Sequence, residues 1–92
     1  MSAIPESERP AMSHGFRLQW EEAQNAHVLL YPEGMVRLNT SAGEILSRCD
    51  GAHSVDDIVA DLEQVFGRTG LAGDVRAFVS MAKQRGWLEL AP

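Results

Sequence analysis

Apolar and polar residues alternate from Phe16 to Glu21. Phe16, Leu18 and Trp20 fall on one face and Arg17, Gln19 and Glu21 on the other, the period-2 pattern of a strand with one face buried. A polar stretch, Glu22 to Ala26, leads into His27–Pro32, where Val28 and Leu30 share a face and His27, Leu29 and Tyr31 form a second, also fairly apolar one. Pro32-Glu33-Gly34 then predicts a tight turn. Proline presets the first turn position, and glycine accepts the left-handed position that closes a three-residue hairpin loop. In the strand that follows, Val36 and Leu38 point inward and Met35 and Arg37 outward. Three short strands joined by tight turns make an antiparallel meander, and its third strand lies at an edge.

After Leu38 the period switches from 2 to 3.6. Ala42, Ile45, Leu46 and Cys49 make a narrow apolar stripe, with Ser41 and Glu44 as a capping box, Asn39 and Thr40 as competing caps, and Asp50-Gly51 as the stop. A second helix starts at Ser54, with Asp57 three residues on. It carries Val55, Ile58, Val59, Leu62, Val65 and Phe66 and ends at Gly67. Asp74 is expected to cap a third helix with the stripe Val75, Phe78, Val79 and Ala82. Gly86 ends that helix, and Trp87–Leu90 is expected to add a short last strand. Helices of about 10–13 residues do not hold alone, so they must pack on one another and on the sheet.

The expected fold class is therefore α+β, a three-stranded antiparallel sheet followed by three helices in a winged helix-turn-helix-like arrangement. Residues 1–15 are polar, contain Pro5 and Pro10, and show no period. They read as a flexible N-terminal arm ahead of a single domain over 16–92.

Composition narrows the functional classes. The longest apolar runs are only a few residues, so no transmembrane helix is expected, and the first residues lack the basic start and apolar core of a secretory signal. The one cysteine, Cys49, excludes an internal disulfide and fits a reducing, cytoplasmic setting. Net charge is −5, with Asp56, Asp57, Asp61 and Glu63 gathered on the second helix and Arg68, Arg76, Lys83 and Arg85 beyond it. The acidic helix reads as a solvated face, or as a face for a protein partner.

Catalytic chemistry is not apparent. His14, His27, His53 and Cys49 contain no pair at metal-ligand spacing on one element, and Cys49 with His53 straddles the Gly51 stop. Cys49 lies on an apolar stripe, where a thiol has a raised pKa and little access. No glycine-framed serine and no phosphate loop occur. The reading is a non-enzyme with no metal and no cofactor.

The edge strand is what remains. A peptide could pair beside Met35, Val36, Arg37 and Leu38, gaining hydrogen bonds from unpaired main-chain groups. The third helix is the expected second wall of that groove, with Phe78 and Met81 as apolar lining and Arg85 as a polar latch.

The run HVLLYPEGMVRLNTSAGEILSRCDG, followed by SVDDIVADLEQVF and a last helix ending in GWL, closely resembles the pyrroloquinoline quinone biosynthesis protein D family. The resemblance spans about residues 16–90, and its most specific part is the ordered set from Leu29 to Gly51. It implies a non-catalytic peptide chaperone. Such a protein binds the ribosomally made precursor peptide of pyrroloquinoline quinone and presents it to a radical S-adenosylmethionine enzyme, which cross-links a glutamate and a tyrosine of that peptide. In this type of recognition module the leader segment lies antiparallel to the third strand, in a groove shared with the third helix. Carried over by position, that groove falls on Met35–Leu38 and on the helix around Phe78, Met81 and Arg85.

Two other readings keep the fold. A winged-helix DNA-binding regulator would read DNA with Arg76, Lys83, Gln84 and Arg85, but three bases on a chain of pI near 5.0 are few, so no nucleic-acid partner is expected. A homodimer could pair the exposed strand or the arm with a second copy.

Overall fold

The computed structural model describes residues 8–91. The elements in chain order are β1 (Pro10–Met12), β2 (Arg17–Glu21), β3 (Ala26–Tyr31), β4 (Gly34–Arg37), α1 (Thr40–Leu46), α2 (Val55–Phe66), α3 (Ala72–Gln84) and β5 (Leu88–Leu90). Strands β2, β3 and β4 form the expected antiparallel meander, with β3 central and β2 and β4 at the edges. Tyr31 pairs with Gly34, so only Pro32 and Glu33 lie in the β3–β4 turn, one residue fewer than the sequence suggests.

Of the span read as a flexible arm, residues 1–7 lie outside the described residues, but residues 10–12 are built into the fold. Strand β1 pairs antiparallel with β5, Pro10 opposite Leu90 and Met12 opposite Leu88, in a second, two-stranded ribbon. Its other side is stitched to the α1–α2 connection: Gly51 N–H donates to the Pro10 carbonyl at 2.9 Å and Val55 N–H to that of Glu8 at 3.1 Å. Pro10 is fully buried. The folded unit thus begins ahead of Phe16.

The sheet's inner face and the helices share one apolar core, built around Leu29, Leu46, Ile58, Leu62, Val79 and Leu88. Among the described residues no polar or charged side chain is buried. Helix α1 packs on β3, α2 packs on α1 and α3, and α3 packs on β5. Trp20, expected inside with Phe16 and Leu18, is 47% exposed. Its cross-strand partner His27 occupies the space beside α1, and the indole meets the imidazole edge-on at 5.0 Å.

Helix ends follow local chemistry, with one choice made among competing caps and one correction. Asn39, not a Ser41–Glu44 box, caps α1 by accepting from Ala42 N–H at 2.8 Å. Helix α3 starts at Ala72 after Leu71, and Asp74 lies inside its first turn instead of capping it. The Leu71 N–H is satisfied from another element, by the Glu63 carboxylate at 3.0 Å. Helix α2 behaves as its sequence implies. Ser54 and Asp57 form a reciprocal capping box, and Gly67 closes the helix in the left-handed conformation at φ 64. Ser54→Ala removes half of that box and should cost about 1 kcal/mol, read as a melting temperature lower by roughly 4–8 °C. The last turn of α2 runs past the core, so Val65 and Phe66, expected in the buried stripe, are exposed.

Candidate functional site

Strand β4 is only four residues long, and among the described residues it pairs with β3 alone. The register fixes which of its groups are engaged. Leu38 N–H donates to the His27 carbonyl at 3.0 Å. Main-chain groups in an antiparallel pair turn alternately toward and away from the partner strand. Val36 therefore directs its N–H and C=O at β3 and Leu38 its N–H, and Met35 and Arg37 direct theirs away from it. The free edge thus presents two donors and two acceptors. Side chains alternate across the two faces of the sheet. Leu38 is buried and Val36 packs against the core, whereas Met35 is 55% exposed and Arg37 is exposed as well.

The opposite edge, β2, is dressed differently. Arg17 donates to the Gln19 side chain at 3.4 Å and Gln19 to Glu21 at 2.8 Å, a polar ladder along the outer face. Charged side chains of this kind discourage another strand from pairing. Among the described residues, strand β4 carries no such ladder.

The helical residues assigned to the groove fare unequally. Phe78 is half-buried and packs against the same core as Val36. Met81 is half-buried on the following turn. Arg85 sits at the C-cap of α3, and its guanidinium lies over the Trp87 ring, 5.8 Å from the centroid. It is already engaged at the start of β5.

One cleft was not announced by the hydrophobic pattern. Where the first turn of α1, the end of α2 and the start of α3 meet, Ser41, Ile45, Leu62, Phe66, Arg68, Leu71, Asp74 and Val75 line a hollow of about 270 Å³. Its traces in the sequence are slight. Phe66 is an aromatic directly before a glycine stop, and Leu71 is a lone apolar residue in a glycine-rich connection.

The remaining reactive groups have structural partners. Cys49 is buried, its Sγ donates to the Ile45 carbonyl at 3.3 Å, and burial pushes its pKa up to about 12. Its alkylation at pH 8 should be slow in the folded protein and become rapid in denaturant, a difference that mass spectrometry reads directly. His53 is bonded to Asp50, with Nδ1 2.9 Å from one carboxylate oxygen and 3.0 Å from the other. That hydrogen bond raises the His53 pKa and lowers that of Asp50. Among the described residues no three metal-ligating side chains converge, and no helix is long and apolar enough to cross a membrane.

The acidic face of α2 is also largely accounted for. Asp57 closes the capping box, Asp61 pairs with Arg48 from the end of α1, and Glu63 accepts from Leu71. These contacts leave less charge in need of a partner than the sequence suggested.

Comparison with known proteins settles the family. The profile of coenzyme PQQ synthesis protein D (PqqD) matches residues 26–88. The chain belongs to the PqqD family. The matched span holds β3, β4 and all three helices, so the free edge and the whole helical layer fall within it.

A PqqA binding protein of Stutzerimonas stutzeri is 48% identical over 91 residues, covering 98% of this chain and 99% of the relative. One from Azotobacter vinelandii is 50% identical with the same coverage. Among solved structures, the PqqD portion of Methylobacterium extorquens PqqCD superimposes with a TM-score of 0.74 at 30% identity, covering 96% of each chain. That solution NMR structure represents a functional, stand-alone recognition element for ribosomally synthesized, post-translationally modified peptides. Its likeness bears out the α+β class read from the alternation and helical periodicity of the sequence.

Proposed function

We propose that this protein is a non-catalytic carrier of a precursor peptide in pyrroloquinoline quinone synthesis, and that it holds the peptide as an added strand on β4. The relatives named for PqqA binding support the choice of ligand. The observation that carries the mode of binding is the β4 register. Met35 and Arg37 offer two N–H and two C=O groups on the side away from β3, and β2, at the other edge, is guarded by a polar ladder. Antiparallel addition is favoured because its bonds, perpendicular to the strands, are slightly more stable per residue than the slanted bonds of a parallel pair.

Such a carrier makes and breaks no bond. Ordering a flexible peptide on the edge costs entropy, so affinity depends on a few apolar anchors beyond the main-chain bonds. The half-buried face of α3 around Phe78 and Met81 supplies such a wall, with Arg85 available only if it leaves Trp87. The bound peptide is then presented to a radical S-adenosylmethionine enzyme, a step supported by the family resemblance.

Amide hydrogen exchange tests the mode directly. In the free protein the Met35 and Arg37 amides should exchange rapidly and those of Val36 and Leu38 slowly. Adding the synthetic precursor peptide should protect Met35 and Arg37 and shift their amide resonances. If those two amides stay unprotected at saturating peptide, strand addition at β4 is wrong.

A further inference from the structure

We propose that the cleft between α1, α2 and α3 is an anchor site for the precursor peptide. It takes an apolar side chain from residues upstream of the added strand, with Arg68 holding a carboxylate of the same segment. This rests on antiparallel addition at β4 and adds a second point of recognition to it.

Position is the first argument. Strand β4 runs into α1 with no linker, and Ser41, on the first turn, lines the cleft three residues after Leu38. That turn separates two hollows. Thr40 and Glu44 face a polar one that also touches Trp20, Ala26 and, at the end of β4, Arg37 and Leu38. Ser41 and Ile45 face the other, which opens toward α2 and α3. The cleft touches no residue of β4 itself and adjoins the end of that strand through Ser41. A strand antiparallel to β4 has its N-terminal end beside Arg37 and Leu38. At about 3.3 Å per residue, its next two or three upstream residues reach the first turn of α1.

Chemistry is the second. The floor of the cleft is apolar, with Ile45, Leu62 and Val75 buried and Leu71 half-buried, and Phe66 stands exposed at its side. About 270 Å³ is less than the usual range for small-molecule pockets and suits one or two side chains. Two charges line it. Asp74, in the first turn of α3, is balanced by that helix's unpaired N–H groups. Arg68 forms no ion pair among the described residues, so it is the charge left for a ligand. An apolar residue next to an acidic one matches this pairing.

The test uses calorimetry and amide shifts with two synthetic peptides, the full precursor and one lacking the residues upstream of the paired segment. The protein variants are Phe66→Ser and Arg68→Glu, both at exposed positions, with folding checked by the α2 amide shifts. Each variant should weaken the full peptide roughly tenfold. The shortened peptide should bind the parent protein more weakly by a similar factor and should not distinguish parent from variants. The Met35 and Arg37 shifts should persist throughout. Equal affinity of the two peptides for the parent, or unchanged affinity of both variants for the full one, overturns the anchor site while strand addition stands. Absence of the Met35 and Arg37 shifts in the folded parent overturns both.

Discussion

Replacing Arg37 with proline is expected to weaken binding of the precursor peptide by roughly 10- to 100-fold while leaving the helices intact. The register explains why the damage is selective. The Arg37 N–H points away from β3, so its loss breaks no bond of the β3–β4 ladder. Proline is also tolerated on an edge strand when its missing donor faces outward. What is lost is one of only two donors on the free edge, and the peptide carbonyl opposite it is left unsatisfied. Arg37→Ala keeps the N–H and removes only the exposed side chain, so its effect should be several-fold smaller. Isothermal titration gives the affinities, and far-UV circular dichroism shows whether the fold survives. A folded Arg37→Pro variant that binds like the parent would move the site away from β4.

The second large effect is on stability. Gly43 lies buried in α1, and a Cβ there would sit 2.5 Å from Nδ1 of His27 and 3.0 Å from both its Cβ and Cγ. The histidine ring cannot swing clear of all three contacts, because its own Cβ is one of them. Helix and strand must therefore separate. Overpacking of this kind costs about 1–3 kcal/mol or somewhat more, against a gain of about 1 kcal/mol from replacing glycine with alanine in a helix. Gly43→Ala should be less stable by about 2 kcal/mol, a melting temperature lower by on the order of 10 °C in a domain this small. His27→Ala in the same chain should restore part of the loss. A Gly43→Ala protein as stable as the parent would mean that α1 does not lie so close to β3.

Much of the architecture was legible because short-range chemistry specifies it. The α2 boundaries follow from Ser54, Asp57 and Gly67, each of which acts within its own turn. The edge position of β4 follows from the closeness of three strands joined by tight turns. The features that escaped prediction depend on partners far along the chain. Strand β1 is three residues with no period and a proline, and only β5 and the Gly51 loop make it a strand. Helix α3 starts early because Glu63 on the preceding helix satisfies Leu71. Trp20 is turned out because His27 fills the space that Gly43 leaves beside α1.

The candidate site divides in the same way. Alternation alone tells Met35 and Arg37 from Val36 and Leu38. The engagement of Arg85 by Trp87 arises at the bend from α3 into β5, and the hollow around Phe66 and Arg68 arises where helices meet, which no local pattern encodes.

The β1–β5 ribbon has a mechanical consequence. Pro10 lies opposite Leu90 and the Ala91 N–H bonds to the Arg9 carbonyl, so the chain enters and leaves the domain at the same end of one short ladder. Tension applied between residue 8 and residue 91 would load that ladder from its open end. The rungs would yield one after another, as in a zipper, and would not share the force as strands sheared lengthwise do. The ribbon is therefore the part of the molecule that gives way first under load, before the β2–β3–β4 meander feels the pull.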